Sequence, residues 1–183
     1  MTMKIKHLTG LFINALVCLI LVLLGNAMTP KPGTSSGNGN PVILLLIPLS
    51  ILFLVLVLQW IRMFKDLKMS LSKLSMLILA LAGYIIAGYV FQLHRLEVYR
   101  VVLAEAFELR WGTADWKHIE SITTGGLLSI HLNNQFFNWN TYFMMIAFSL
   151  LLCFMFKLIQ RLMDRRQGTS RRNNSARRLD RRK

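Results

Sequence analysis

The sequence predicts an all-α integral membrane protein with four transmembrane helices, both termini in the cytoplasm, and a short helical extracytoplasmic segment between the third and fourth helices. Three observations carry this reading. First, the 183 residues are 54% hydrophobic and only 16% charged, with a mean hydropathy of +0.47, a balance too apolar for a soluble surface. Second, four stretches free of Asp, Glu, Lys and Arg, at 8–28, 42–61, 74–93 and 139–156, match the length needed to cross about 30 Å of hydrocarbon at about 1.5 Å per residue. Third, lysine and arginine are shared unequally between the two sides, seventeen against five, which orients the chain by the positive-inside rule.

The amino-terminal stretch 1–7 contributes Lys4 and Lys6 to the cytoplasmic side. The run that follows also has the outline of a cleavable signal, with Gly25-Asn26-Ala27 offering small residues at a cleavage site. Its apolar part is longer than a signal core, so it reads as a retained span. A lipoprotein reading of Leu16-Val17-Cys18 is weaker still, because Val17 stands where a small residue is expected and the cysteine lies in mid-run.

Residues 29–41 hold four glycines or prolines between Pro30 and Gly37 and no large apolar side chain, and they read as a flexible tether. In the second span Pro48 removes an intrahelical hydrogen bond, and a kink is expected there. The basic loop 62–73, with Arg62, Lys65, Lys68 and Lys73, returns the chain to the cytoplasm. In the third span Ala80, Gly83 and Ala87 form a strip of small residues, the surface that lets another helix approach closely, within the bundle or between copies.

Segment 94–138 shows helical periodicity. Leu96, Tyr99, Leu103 and Phe107 recur on one face, with Glu97, Arg100, Glu105 and Glu108 on others. Thr113 or Asp115 is placed to cap a second short helix through Trp116, Ile119 and Ile122, before Gly125-Gly126 breaks it. Too short to bury a core alone, the segment is expected to lie against the membrane or the bundle top. Trp111, Trp116, Phe136, Phe137, Trp139, Tyr142 and Phe143, interleaved with asparagines, read as an aromatic belt at the outer interface.

The tail 157–183 carries Arg165, Arg166, Arg171, Arg172, Arg177, Arg178, Arg181, Arg182 and Lys183 among polar residues, so in isolation it is expected to be disordered. It suits anionic lipid of the inner leaflet, with RNA or the ribosome as a less favoured partner.

No constellation for chemistry emerges. Asn14 and Ser149 are the clearest polar residues at membrane depth, and neither titrates. A proton-coupled exporter of the small four-helix kind needs an embedded glutamate, and a thiol oxidase needs a CxxC pair. Neither pattern is here, since Cys18 and Cys153 stand alone in apolar runs. His94, Glu97, His118, Glu120 and His131 lack metal-ligand spacing, because positions two apart point to different helix faces. The sequence therefore predicts no catalytic residue, metal or cofactor. The expected role is a non-enzymatic accessory or scaffold subunit that binds another membrane protein or a second copy. The alternative is a small channel, holin-like pore former or permease component. A bacterial plasma membrane is the default location.

The charge distribution makes a direct prediction. In a background lacking Cys18 and Cys153, cysteines placed at Ser36 and Thr123 will react with an impermeant label on intact cells, and one at Ser170 will not. Labelling at Ser170 refutes the orientation.

Overall fold

A computed structural model describes residues 2–34 and 39–180, with side chains described over 5–34 and 39–166. The described residues are helical, without strands. They form α1 (Thr2–Ala27), α2 (Leu46–Met63), α3 (Leu71–Trp111), α4 (Trp116–Thr124), α5 (Asn133–Phe136) and α6 (Trp139–Asp180), with short 3-10 turns at Pro41–Leu45, Gly126–Leu128 and Ile130–Leu132. Four helical stretches, Ile5–Ala27, Pro41–Met63, Leu71–Trp111 and Trp139–Arg166, are long and apolar enough to cross a membrane. The chain thus has the build of a multi-pass membrane protein.

Local chemistry sets most of the boundaries. Pro30 disfavours helical geometry at the residue before it, and α1 stops at Ala27. Asn40 caps the next helix, its side chain accepting from the Val42 amide at 3.2 Å, and Pro41 follows at the first position. Ser70 accepts from the Lys73 amide at 3.3 Å and opens α3. Gly112 closes it at φ 77°, a left-handed conformation that glycine adopts without a Cβ penalty. Of the two candidate caps for α4 the fold uses Asp115, which accepts from Lys117 and His118 amides at 3.0 and 3.2 Å.

Three features differ from the sequence reading. The third span and the amphipathic stretch are one helix of 41 residues, about 60 Å long, because nothing between Gln92 and Leu96 interrupts it. Pro48 falls in the first turn of α2, where its missing N–H has no intrahelical partner to lose; the irregularity lies in the 3-10 turn before it. The last helix runs on to Asp180, so the backbone of the basic stretch is helical to that point. Extending an existing helix avoids the nucleation cost that an isolated segment meets.

In packing, α6 is central. It packs against both α3 and α2, with α1 chiefly against α2, while α2 and α3 make little contact with each other. The main buried cluster is Cys18, Val22, Val42, Leu49, Phe137 and Tyr142. Beyond the bundle α4 folds back along α3, and Tyr99, Leu103, Ala104 and Ile119 form a second cluster with Phe107, Ala114 and Ile122. This hairpin covers the face of α3 that holds Tyr99 and Leu103, while Leu109, Trp111 and Trp116 stay exposed.

Polar bolts cross the helix contacts. The Asn14 amide donates to the Leu52 carbonyl and to Gln59 Oε1, both at 3.0 Å, and Gln59 returns a bond to the Gly10 carbonyl at 3.1 Å. Trp60 donates to Ser149 Oγ at 3.0 Å, joining α2 to α6, and Tyr142 donates to the Ala15 carbonyl at 3.1 Å, joining α6 to α1. Between α3 and α6 the close approach is at Gly88. Asn140 donates to its carbonyl at 2.9 Å, and a Cβ there would stand 2.8 Å from Met144 Cγ and Sδ.

Two substitutions test this packing. Gly88→Leu forces α3 away from α6 and is expected to destabilise the detergent-solubilised protein by about 2 kcal/mol. Asn14→Leu removes the α1–α2 bolt and is expected to cost about 1 kcal/mol. Wild-type melting of Gly88→Leu refutes the close approach.

Candidate functional site

Because α2 and α3 stand apart on the same side of α6, a groove is left between them. Leu46, Leu49, Ser50, Phe53 and Leu54 of α2 form one wall, and Ile85 of α3 forms the other. Thr141, Met144, Met145 and Phe148 of α6 make the floor. The space measures about 650 Å³, no charged side chain lines it, and Ser50 and Thr141 supply its hydroxyls. At the end nearer the α4 hairpin, Leu127, Phe136 and Phe137 close it over. At the other end Phe53 stacks on Phe148 with ring centroids 5.8 Å apart.

The roof is tied down on both sides. Gln92 of α3 donates to Gln135 Oε1 at 3.1 Å and also to the Gln135 carbonyl. Asn26 of α1 donates to the Phe137 carbonyl, and the Phe137 ring is seated against Gly25, where a Cβ would collide with it. Asn40 holds the middle through bonds to Asn133 Oδ1 at 2.7 Å and the Leu127 carbonyl at 2.8 Å. At the start of α6, Asn138 and Thr141 cap each other, with backbone-to-side-chain bonds of 3.0 and 3.1 Å. Asn140 completes the attachment by donating to Gln92 Oε1 at 3.0 Å.

The residues singled out from the sequence fall differently. Ala80, Gly83 and Ala87 are all exposed, and a Cβ on Gly83 meets nothing within 4 Å. The strip is therefore not the intramolecular packing face, a role Gly88 takes. Sequence reasoning passed over Gly88 together with Gln59 and Gln92, and took Asn140 only as one of the asparagines among the outer aromatic residues; amide side chains inside or beside otherwise apolar runs were the available signal. Phe137 and Tyr142 are buried in the main cluster, whereas Phe136, Trp139 and Phe143 are exposed. Trp111 ends α3, about 27 Å of helix beyond Leu93.

His94, Glu97, His118, Glu120 and His131 do not come together, and no group of three or more His, Cys, Asp or Glu gathers among the described residues. Glu97 pairs with Arg100 at 2.9 Å, and Arg100 donates to Thr123 Oγ1 at 2.9 Å, pinning α3 to α4. Phe107 and His118 meet edge to face at 5.5 Å. In the tail, Arg165 and Arg166 are exposed. The side chains of Arg171, Arg172, Arg177 and Arg178, and the residues Arg181, Arg182 and Lys183, lie outside what the structure describes. Next to the bundle, Lys157 donates to the Leu67 carbonyl at 3.0 Å.

Nothing among family models, curated proteins or solved structures matches the chain. The reading of the site rests on its geometry.

His131 is the titratable group most enclosed by the roof. It is 6% exposed, with no partner for Nδ1, and burial followed by the charge of His118 lowers its pKa from the ordinary 6.5. Protonation is therefore harder in the fold than in the unfolded chain. Between the two pKa values the unfolded chain binds the extra proton, so stability is lost as pH falls through 6.5. Thermal melting followed from above to below that pH is expected to decline more steeply for the wild type than for His131→Leu. Equal slopes refute a neutral, buried His131.

Proposed function

We propose that the protein is a non-enzymatic accessory or scaffold subunit of a membrane complex, holding its partner through the uncovered face of α3 and resting its basic helix on anionic lipid. The observation that carries this reading is the placement of the small-residue strip. Ala80, Gly83 and Ala87 lie on the outside of the fold, flanked by Leu79, Ile86 and Val90 at 72, 64 and 59% exposure. Helix association in lipid gains mainly from close backbone approach, which small residues permit and large ones prevent. The partner is a transmembrane helix of another protein or of a second copy.

The internal bolts support the same reading over a pore or permease component. A conducting path needs polar groups turned toward a water-filled lumen, and here Asn14, Gln59, Trp60 and Ser149 spend theirs on contacts between helices. Intramembrane acid–base catalysis would need an Asp, Glu, Lys, Arg or His at depth, and the runs 8–28, 42–61, 74–93 and 139–156 hold none. The Lys and Arg surplus around 62–73 and beyond Lys157 fits a cytoplasmic side facing anionic headgroups, each nearby cation contributing about 1 kcal/mol. A bacterial plasma membrane is the proposed location.

Affinity purification from mild detergent tests the proposal. Wild type is expected to carry a stoichiometric membrane partner or a second copy. Gly83→Leu is expected to lower its recovery about tenfold, whereas Gln-Gln replacement of the Arg165-Arg166 and later arginine pairs leaves it unchanged. A monomer without partners, or undiminished recovery with Gly83→Leu, overturns the docking role of α3. Conductance in liposomes by the purified chain favours the pore.

A further inference from the structure

Under its roof, the groove between α2 and α3 is filled by none of the described residues, and its chemistry is selective. We propose that it is a binding site for one acyl chain of a membrane phospholipid, which enters sideways between α2 and α3 and leaves its headgroup outside.

Four features define the occupant. The lining has no charged side chain, so an ionised ligand entering whole would lose its hydration without compensation. The roof closes the end nearer the α4 hairpin, where Gln92 and Asn26 anchor it at opposite sides, so the remaining way in is lateral. Within four helices apolar enough to cross a membrane, a lateral opening meets hydrocarbon.

The third feature is the bulk of most of the lining side chains. Apart from Ser50 and Thr141 the lining is leucine, phenylalanine, methionine, isoleucine and valine, with no glycine or alanine, which is a poor surface for close approach by a second helix. That surface exists elsewhere, on α3 at Gly83. The fourth is shape. The floor from Thr141 to Phe148 is about 10 Å long, and the volume of about 650 Å³ lies in the range of small-ligand sites. A narrow, flexible chain fits such a slot, and Met144 and Met145 are side chains able to adapt to it. Thus α2 and α3 are held apart at their roofed ends by a tied span of protein and filled below it by lipid.

This inference goes beyond the accessory-subunit proposal, and loss of a protein partner with lipid retained would count against that proposal alone. The test uses the full chain in phosphatidylcholine vesicles containing a phosphatidylcholine with a diazirine on one acyl chain. After irradiation, peptide mapping is expected to find adducts concentrated on Met144, Met145 and Phe53, about tenfold above those on the exposed, outward-facing Met76 and Met155. The fillers Ser50→Phe and Thr141→Phe, and the milder Ser50→Leu in case the larger ones do not fold, are expected to abolish the groove adducts while leaving those on Met76.

Native mass spectrometry of detergent-purified wild type should retain about one phospholipid per chain. Adducts spread evenly over all outward-facing residues overturn the proposal, as does undiminished groove labelling in a folded filler variant. Finding a second copy cross-linked through Met144 would do the same and assign the groove to another helix.

Discussion

Amide side chains at the depth of apolar spans have no water to turn to, and the arrangement of this protein follows from where each finds its partner. Asn14 and Gln59 satisfy each other and two backbone carbonyls across α1 and α2. Trp60 with Ser149, and Tyr142 with the Ala15 carbonyl, bring α6 into the same unit. Asn140 draws α3 in through the Gly88 carbonyl. Hydrophobic contact distinguishes poorly between one apolar helix and another in hydrocarbon, so these directional bonds carry much of the specificity of pairing. They also leave one face of α3 with nothing of its own to hold.

The same constraint explains the roof. Residues 126–137 are short turns whose backbone groups would be costly near hydrocarbon, and asparagine and glutamine side chains from α1, α3 and the Asn40 cap meet them. Fixed at several points, the segment spans the interval between α2 and α3 instead of filling it. A groove is the geometric result. His131 is enclosed by this arrangement, and burial lowers its pKa, which gives the fold a dependence on proton concentration.

Much of the architecture is legible in the chain. Charge-free runs at 8–28, 42–61, 74–93 and 139–156 correspond to four helical stretches of sufficient length and hydropathy, and the Asp115 cap is readable from its position before an amphipathic run. The continuity of α3 was readable too, since no glycine or proline separates Gln92 from Leu96; charge at His94-Arg95-Leu96-Glu97 suggested the end of a span, but the end of a span need not be the end of a helix. Pro48 illustrates a different limit. Its consequence depends on whether it falls in the first turn or the interior, and helix starts are blurred by single turns of 3-10 geometry.

Composition and the spacing of charges by themselves determined the class of protein, the number of apolar helices and the unequal partition of lysine and arginine, because transfer of side chains from water to hydrocarbon is a local, additive property of the residues. Only the tertiary structure decided which small residue is a contact and which is a surface. Gly83 and Gly88 lie five residues apart in one helix, and five residues turn the helix by about 140°, so one faces outward and the other receives Met144 and Asn140. The groove and its roof were likewise invisible in the chain, since they arise from residues as distant as Asn26, Gln92 and Phe137. Such long-range placement depends on how helices pair, and that pairing is a property of the assembled fold and not of any one segment.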